Sequence, residues 1–227
     1  IKEQGLEIKN GDIIAVSSKA ISISAQRLVE LKRVKPSKKA LELAEKYCLE
    51  PEFVELIIKE SEKIYGGVER AILTLKNGIL SVNAGVDHKN APEGYASLWP
   101  LNPQLEADRL RREIEMATNR KIGVLIVDSQ IAPLRLGTRG MALAVSGFRP
   151  VADYRRKKDL YGKEILITYH SIADDLASAA HAVMGESSEL IPVAIIRNAP
   201  IILDENAKSE EMKISCEKCA YSKAFKL

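Results

Sequence analysis

Short apolar runs broken by turn residues alternate with amphipathic stretches along the chain. Asp12 to Val16 (DIIAV) has the length and character of a buried strand, and it ends in Ser17-Ser18-Lys19, small and polar residues that predict a turn able to face phosphate. Pro36-Ser37 opens a helix with apolar residues at Ala40, Leu41, Ala44 and Cys48. Pro51-Glu52 opens another that carries Val54, Ile57 and Ile58. The sharpest local signal is Ile72 to Leu75, then Asn77-Gly78, then Ile79 to Val82. Two residues that accept positive φ between two apolar runs predict a type I′ hairpin. Its second strand runs into Asn83-Ala84-Gly85-Val86-Asp87, which puts Asp87 at a strand end behind a glycine that allows close backbone approach.

Beyond Pro103, Leu105, Leu110, Ile114 and Ala117 mark a helix that gives way at Thr118-Asn119 to an apolar strand, Ile122 to Val127, ending in Asp128-Ser129. A loop with Arg135 and Gly137 leads to a strand over Gly140 to Phe148, whose small residues suit close packing. A charged loop through Asp153, Asp159 and Gly162 follows, then a strand from Ile165 to Tyr169. Ile172 to Met184 is an Ala-rich helix with Ile172, Leu176, Ala180 and Val183 on one face. Gly185 is placed to cap it and Glu186 comes directly after. Pro192 to Arg197 reads as a last buried strand, and the chain turns Lys/Glu-rich from Asn206. This irregular alternation around one antiparallel hairpin predicts an α+β fold with mixed or antiparallel sheets rather than a doubly wound parallel sheet. We expect one domain over residues 1–205 and a charged tail over 206–227. Because the chain starts at Ile1 rather than Met, a preceding segment is expected.

Composition narrows the class. A chain of 227 residues can bury about 70 % of its unfolded surface, and 46 % hydrophobic with only 5 % aromatic residues implies a core of Ile, Leu, Val and Ala. No apolar run approaches the ~20 residues of a membrane span, and the opening IKEQGLEIKNGD has no signal-peptide character, so a cytoplasmic protein with no membrane partner is expected. Thirty-four basic residues interleave with thirty-one acidic ones for a net +3, which argues against a nucleic-acid partner. The densest basic run, Arg155 to Lys158, is followed at once by Asp159. Three cysteines are too few for a secreted disulfide framework, so reduced thiols are expected. Cys216-x-x-Cys219 supplies two thiolates where a structural zinc site wants four, and we read the pair as incidental.

Asp87 and Asp128, each at the mouth of a buried strand, are a plausible pair of hard oxygen ligands for Mg²⁺ or Mn²⁺. An aspartate there is more often a turn-former or helix cap, and Glu186 by itself reads as a surface residue after a helix. The guanidinium fork of Arg135 suits phosphate or carboxylate, or is simply a surface arginine. His88, His170 and His181 are isolated and read as structural.

Taken in order, NAGVD, VDS, LRLG, DLYG and IADDLASAAHAVMGE resemble the motifs of the coenzyme F420 γ-glutamyl ligase family, and the resemblance runs from Gly11-Asp12 to about Pro200. It implies an intertwined α+β homodimer that uses GTP and two divalent ions, Mg²⁺ or Mn²⁺, with K⁺ as a further candidate. Its substrates would be L-glutamate and the F420 precursor, whose lactyl carboxylate receives the first glutamate before a second is added by γ-linkage. By position, Asp87 and Asp128 match ligands of the first metal. Ser129 stands where the family usually has a threonine touching the second, and Glu186 matches that metal's carboxylate. Asn90 and the Ser18-Lys19 turn match nucleotide contacts; Gly185, Ser187 and Ser188 belong to the nucleotide loop after MGE; Arg135 would act in catalysis. Asp153, Asp159 and Asp174 fall on motif positions with no assigned role. The chain departs from the family at Ile23 (usually lysine), over residues 100–107 where two acidic residues are lost, in Ser187 to Leu190, and at Asn198 (commonly glycine). Competing readings are a catalytically altered paralogue that binds metal, nucleotide or a partner, and a metal-dependent phosphohydrolase.

Overall fold

A computed structural model describes residues 5–225. In chain order the elements begin β1 (Ile13–Ser17), α1 (Ser18–Ser24), β2 (Leu28–Glu30), α2 (Lys38–Tyr47), α3 (Pro51–Glu60), β3 (Lys63–Val68), β4 (Ala71–Lys76), β5 (Ile79–Val82) and β6 (Tyr95–Ser97). They continue with α4 (Pro103–Thr118), β7 (Gly123–Ile131), β8 (Thr138–Ser146), β9 (Val151–Asp153), β10 (Tyr169–Ser171), α5 (Ile172–Met184), β11 (Val193–Ile196) and α6 (Ala220–Phe225). The fold is α+β, with mixed and antiparallel sheets. Among the described residues no helix is long and apolar enough to cross a membrane. The chain divides into two compact units: residues 5–18, 102–129 and 139–212, and residues 19–101, 130–138 and 213–225.

The first unit is built on a four-stranded sheet ordered β11-β1-β7-β8. β1 runs parallel to β7, Ile13 opposite Gly123 through Ser17 opposite Val127, and antiparallel to β11. Its central strands are apolar on both faces because both are covered, which is why β1 and β7 read as continuous runs rather than alternating ones. Ile13, Leu125, Val127, Val145 and Phe148 pack against Ile172, Leu176, Ala177, Ala180 and Met184 of α5. Gly140 lets α5 approach: a Cβ there would clash with the Ala177 carbonyl. The buried Asp12 at the foot of β1 takes both its carboxylate oxygens to Arg197, at 2.9 and 2.8 Å. That hydrogen bonding, ahead of the opposing effect of burial, holds its pKa below the ordinary value.

The second unit packs α2 and α3 on the antiparallel sheet β3-β4-β5, with Ala40, Ala44, Phe53, Val54, Ile57 and Ile72 in its core. The predicted hairpin is present, with Asn77 at φ 51° and Gly78 at φ 73°. Along β4 the inner positions are Ile72, Thr74 and Lys76. Lys76 is buried and pairs with Glu60, which also receives Arg27 at 2.9 Å. Burial raises the Glu60 pKa, but the two cations outweigh it and hold the carboxylate below its ordinary range.

Several sequence expectations need correcting. Ser17-Ser18-Lys19 is not an open turn, because β1 passes directly into α1. The strand expected over Ile165 to Tyr169 shrinks to β10, Tyr169–Ser171, and leaves Leu166 and Ile167 exposed at 73 % and 85 %. The helices at 38–47 and 103–118 form, with Ser37 and Asn102 as side-chain N-caps. Leu41 and Leu105 nevertheless face solvent, and so does Val183 on α5, whose inner face is completed by Met184. Cys48 is a left-handed, exposed C-cap rather than a core residue. In the expected tail, Ala207, Ser209 and Ser222 are buried.

Candidate functional site

In the second unit, Asp87 owes its place to an unusual bend. Asn83, Ala84 and Gly85 follow one another at φ 53°, 52° and 70°, the left-handed region that side chains resist. The bend is held from outside. Asn83 Oδ1 accepts from the Ile72 amide at 2.8 Å, and Thr74 Oγ1 accepts from the Ala84 amide at 2.9 Å. Only glycine fits at 85, since a Cβ would run into the Trp99 ring. The chain leaves the bend to pair Asp87 with Ser97, amide to carbonyl at 3.0 and 2.8 Å. Thus the side chain of Asp87 projects from backbone fixed on both sides.

Its carboxylate is met by Lys19, from the first turn of α1. The Lys19 ammonium donates to Asp87 Oδ2 and to the Lys89 carbonyl, the latter at 2.5 Å, while the Lys89 amide donates to Asp87 Oδ1 at 2.9 Å. Asn90 follows on the same loop at φ 56°. His88 stacks on Phe53, ring centroids 4.1 Å apart, so its structural reading is the one observed. This unit therefore brings Lys19, Asp87 and the Asn90 loop together around oxygens already holding a cationic group. Arg135 lies on an exposed turn closed by its amide to the Ala132 carbonyl at 3.2 Å; among the described residues no hydrogen bond or ion pair joins it to Asp87.

The first unit carries Ser18, Asp128, Ser129, Gly185, Glu186, Ser187 and Ser188. Asp128 is where β7 turns from buried to half-buried, and its Oδ1 accepts from the Ser129 amide at 2.9 Å. Ser18 is buried. Glu186 follows the Gly185 cap of α5 and meets His181, one turn back on that helix, Nε2 to Oε1 at 2.8 Å. In the sequence alone His181 reads as structural. The helical spacing from 181 to the cap was the signal that would have linked it to Glu186.

Glu189 was also missed. Its Oε2 accepts from the Ser187 amide at 2.8 Å, and that bond, with further amides of the loop, holds its pKa below the ordinary range. A carboxylate thus sits on the amides of the very segment expected to receive phosphate. The three unassigned aspartates have local duties. Asp153 clamps the Arg155 guanidinium and is pushed down to about 2 by that hydrogen bonding. Asp159 accepts from the Tyr161 and Lys163 amides at 2.9 and 2.8 Å, and Asp174 ties Ser171 to the Ala142 amide. A cleft of about 500 Å³ opens beside Asp153, Arg155, Arg156, Glu164, Ile165 and Leu166, and none of the candidate residues lines it.

Every candidate metal ligand, Asp87, Asp128, Ser129 and Glu186, offers a hard oxygen, which suits Mg²⁺ or Mn²⁺. Among the described residues, however, no group of three or more His, Cys, Asp or Glu side chains is gathered as a metal would need. Asp87 belongs to one unit, and Asp128 and Glu186 to the other.

Residues 1–198 match the protein family described as F420-0:gamma-glutamyl ligase. The protein named coenzyme F420:L-glutamate ligase in Methanocaldococcus jannaschii is 40 % identical over 195 residues, 86 % of this chain and 78 % of that one. Its namesake in Methanococcus maripaludis is 39 % identical over 204 residues, covering 89 % and 82 %. The one in Archaeoglobus fulgidus is 34 % identical over 210 residues, covering 91 % and 84 %.

Proposed function

Because the chain belongs to the F420-0:gamma-glutamyl ligase family, an enzyme family of ligases, we propose that it joins L-glutamate in amide linkage to a carboxylate of the F420 precursor, with GTP as co-substrate. The reading is carried by the match over residues 1–198, within which lie all the candidate site residues. The arrangement of Lys19 and Asp87 supports it, since a carboxylate held ready beside an ammonium is what a site for phosphate and cations requires.

The chemistry asks for two steps. A carboxylate oxygen is a poor leaving group, so the acceptor carboxylate first takes the γ-phosphoryl group of GTP, and GDP departs. The amine of glutamate then attacks the acyl carbon, phosphate leaves with the C–O bonding pair, and the amine gives up a proton. Asp87, Asp128, Ser129 and Glu186 are the residues that would hold two ions, Mg²⁺ or Mn²⁺, with K⁺ a further candidate. Such ions supply neutralisation of the charge that builds on a transferring phosphoryl group. Lys19 and Asn90 would address the nucleotide, together with Ser18 and the loop from Gly185 to Ser188. Arg135, on its exposed turn, would steady the transferred group or a substrate carboxylate. We propose a cytoplasmic homodimer as the working form.

The test is to incubate the full chain with GTP, Mn²⁺ or Mg²⁺, L-glutamate and the glutamate-free precursor, and to look for a mass gain of one glutamyl unit. Absence of product with GTP and with ATP, from protein shown to be folded, would overturn the reading.

A further inference from the structure

We propose that Cys216 and Cys219 form a reversible dithiol–disulfide pair that exchanges with low-molecular-weight disulfides. The pair lies beyond residues 1–198, where the family match ends, and the ligase reading does not use it.

The backbone supplies the geometry. The Ser215 carbonyl accepts from the amides of both Lys218 and Cys219 at 3.0 Å, wrapping Cys216 to Cys219 into a single helical turn. The Cys219 carbonyl then accepts from the Lys223 amide at 2.9 Å as α6 begins. Residues three apart on such a turn stand on one face with Cβ atoms about 5–6 Å apart. A disulfide needs Cβ atoms about 3.5–4.5 Å apart, so the turn must draw them together by about 1–2 Å to join the two sulfurs.

The turn is also anchored. Cys216 lies beside the phenol of Tyr65 on β3, and the Lys213 side chain lies 3.5 Å from the position a Cβ would take on Gly78, at the tip of the β4–β5 hairpin. Burial, and then the adjacent Cys216, hold the Tyr65 phenol above its ordinary pKa, so it meets the sulfur as a neutral group. The Lys63 ammonium stands 4.4 Å from the centroid of the Tyr65 ring. Cys216 is exposed and Cys219 half-buried, which suits an attacking thiol and a resolving one. The third thiol, Cys48, sits apart in sequence as the C-cap of α2. Among the described residues no third His, Cys, Asp or Glu joins these two sulfurs, so a thiophilic metal would be left with two ligands where it prefers four.

The exchange balances without a further reagent. The Cys216 thiolate attacks one sulfur of a disulfide RSSR, forming a mixed disulfide and releasing RS⁻. The Cys219 thiolate then attacks Cys216 Sγ and releases the second RS⁻. The two thiol protons end on the departing thiols, so RSSR and the protein dithiol become two RSH and the protein disulfide.

The experiment equilibrates the full chain in a series of oxidised and reduced glutathione mixtures, blocks free thiols with iodoacetamide and reads the peptides by mass spectrometry. The expected result is a Cys216–Cys219 peptide lighter by two hydrogens as the buffer becomes oxidising, Cys48 staying alkylated, and recovery of both thiols on return to reduced buffer. Cys48→Ala should leave the transition unchanged. Cys216→Ser and Cys219→Ser should each replace it with a single glutathione adduct or a free thiol. Separate glutathione adducts on both cysteines, thiols free throughout the series, or protection of both thiols by stoichiometric Zn²⁺ in reduced buffer would each overturn the proposal. None of these readouts depends on ligase activity, so failure here and failure of the functional reading are distinguishable.

Discussion

The two units prepare their candidate carboxylates in different ways. Asp87 rises from a left-handed bend braced by Asn83, Thr74 and Trp99, and its partner Lys19 comes from a different element, the first turn of α1. Glu186 hangs from the end of α5 against a histidine of the same helix, and a second carboxylate, Glu189, folds onto the loop behind it. One carboxylate is therefore fixed by tertiary backbone contacts and the other by a local turn and a side chain. The first arrangement tolerates little change, whereas the second can be adjusted one group at a time.

The most severe way to break this contrast is Asp87→Asn. The change keeps shape and removes the charge that Lys19, and on our proposal a divalent ion, is placed to meet. We expect glutamyl transfer to fall by at least about 100-fold, more than loss of a merely supporting group would cost, with circular dichroism unchanged. Activity within a few-fold of the parent chain would remove Asp87 from the proposed ligands.

A second change sharpens the contrast at the level of stability. Asp12 anchors β1, the strand that leads into Ser18, through its two hydrogen bonds to Arg197. Since Arg197 is partly exposed, Asp12→Asn should cost about 2 kcal/mol at neutral pH, within the range for charged hydrogen bonds. The sign of its pH dependence follows from the depressed folded-state pKa. The stabilisation is complete above the unfolded value near 3.8 and is lost as pH falls through the lower folded value, so parent and variant should converge in acid. Urea unfolding at pH 7 and pH 3 measures this. A gap that widens in acid would contradict the assignment.

What could be read in advance follows the same division between local and distant causes. The Asn77-Gly78 hairpin and the α5 helix with its Gly185 cap were legible because each is specified by residues adjacent in sequence; the apolar strand leading to Asp128 was legible too, but β7 continues to Ile131 instead of ending at Asp128. β3 was not, since Lys63 to Val68 contains two glycines and gains its strand form only by pairing with β4 across a register shift. Ile165 to Tyr169 has the apolar character of a strand but lies mostly outside one, its exposed Leu166 and Ile167 showing that hydrophobicity alone did not bury it. Lys76 could have been found, because it continues the Ile72, Thr74 alternation onto the inner face, yet its partner Glu60 is 16 residues distant in sequence, and Arg27, which shares that carboxylate, is 33 residues from Glu60. Glu189 was visible as part of the segment Ser187 to Leu190, where the chain departs from the motifs it resembles. Its carboxylate turns back onto that loop's own amides, a fold-back that no local pattern of residues announces.

Between the extremes lies His181→Gln. Glutamine of that length can keep a hydrogen bond towards Glu186 but not the ring's orientation, and losing a supporting partner of this sort typically costs 10–100-fold in metal affinity or activity. For a contact between two partly accessible side chains we expect the low end, about tenfold. Measured as the Mn²⁺ concentration giving half-maximal rate, the shift should exceed any change in the saturated rate. Loss confined to the saturated rate would instead mean that His181 does not act through Glu186.

The smallest expected effect has the opposite sign. Glu189 places a negative charge on amides that, on our reading, should face phosphate, and the Gly185 backbone leaves room for its side chain where a Cβ would collide with it. Glu189→Gln keeps the volume and removes the charge, so a nucleotide no longer has to displace or repel a carboxylate. The group is fully exposed and screened by salt, which limits the gain: we expect GTP to bind about threefold more tightly, the scale of one surface charge at a peptide terminus. Calorimetry at low and at high salt tests the cause as well as the size, because an electrostatic gain must shrink as salt rises. Weaker binding in the variant would mean that the Glu189 carboxylate organises the loop for nucleotide rather than competing with it, and the two units would then resemble each other more than their geometry suggests.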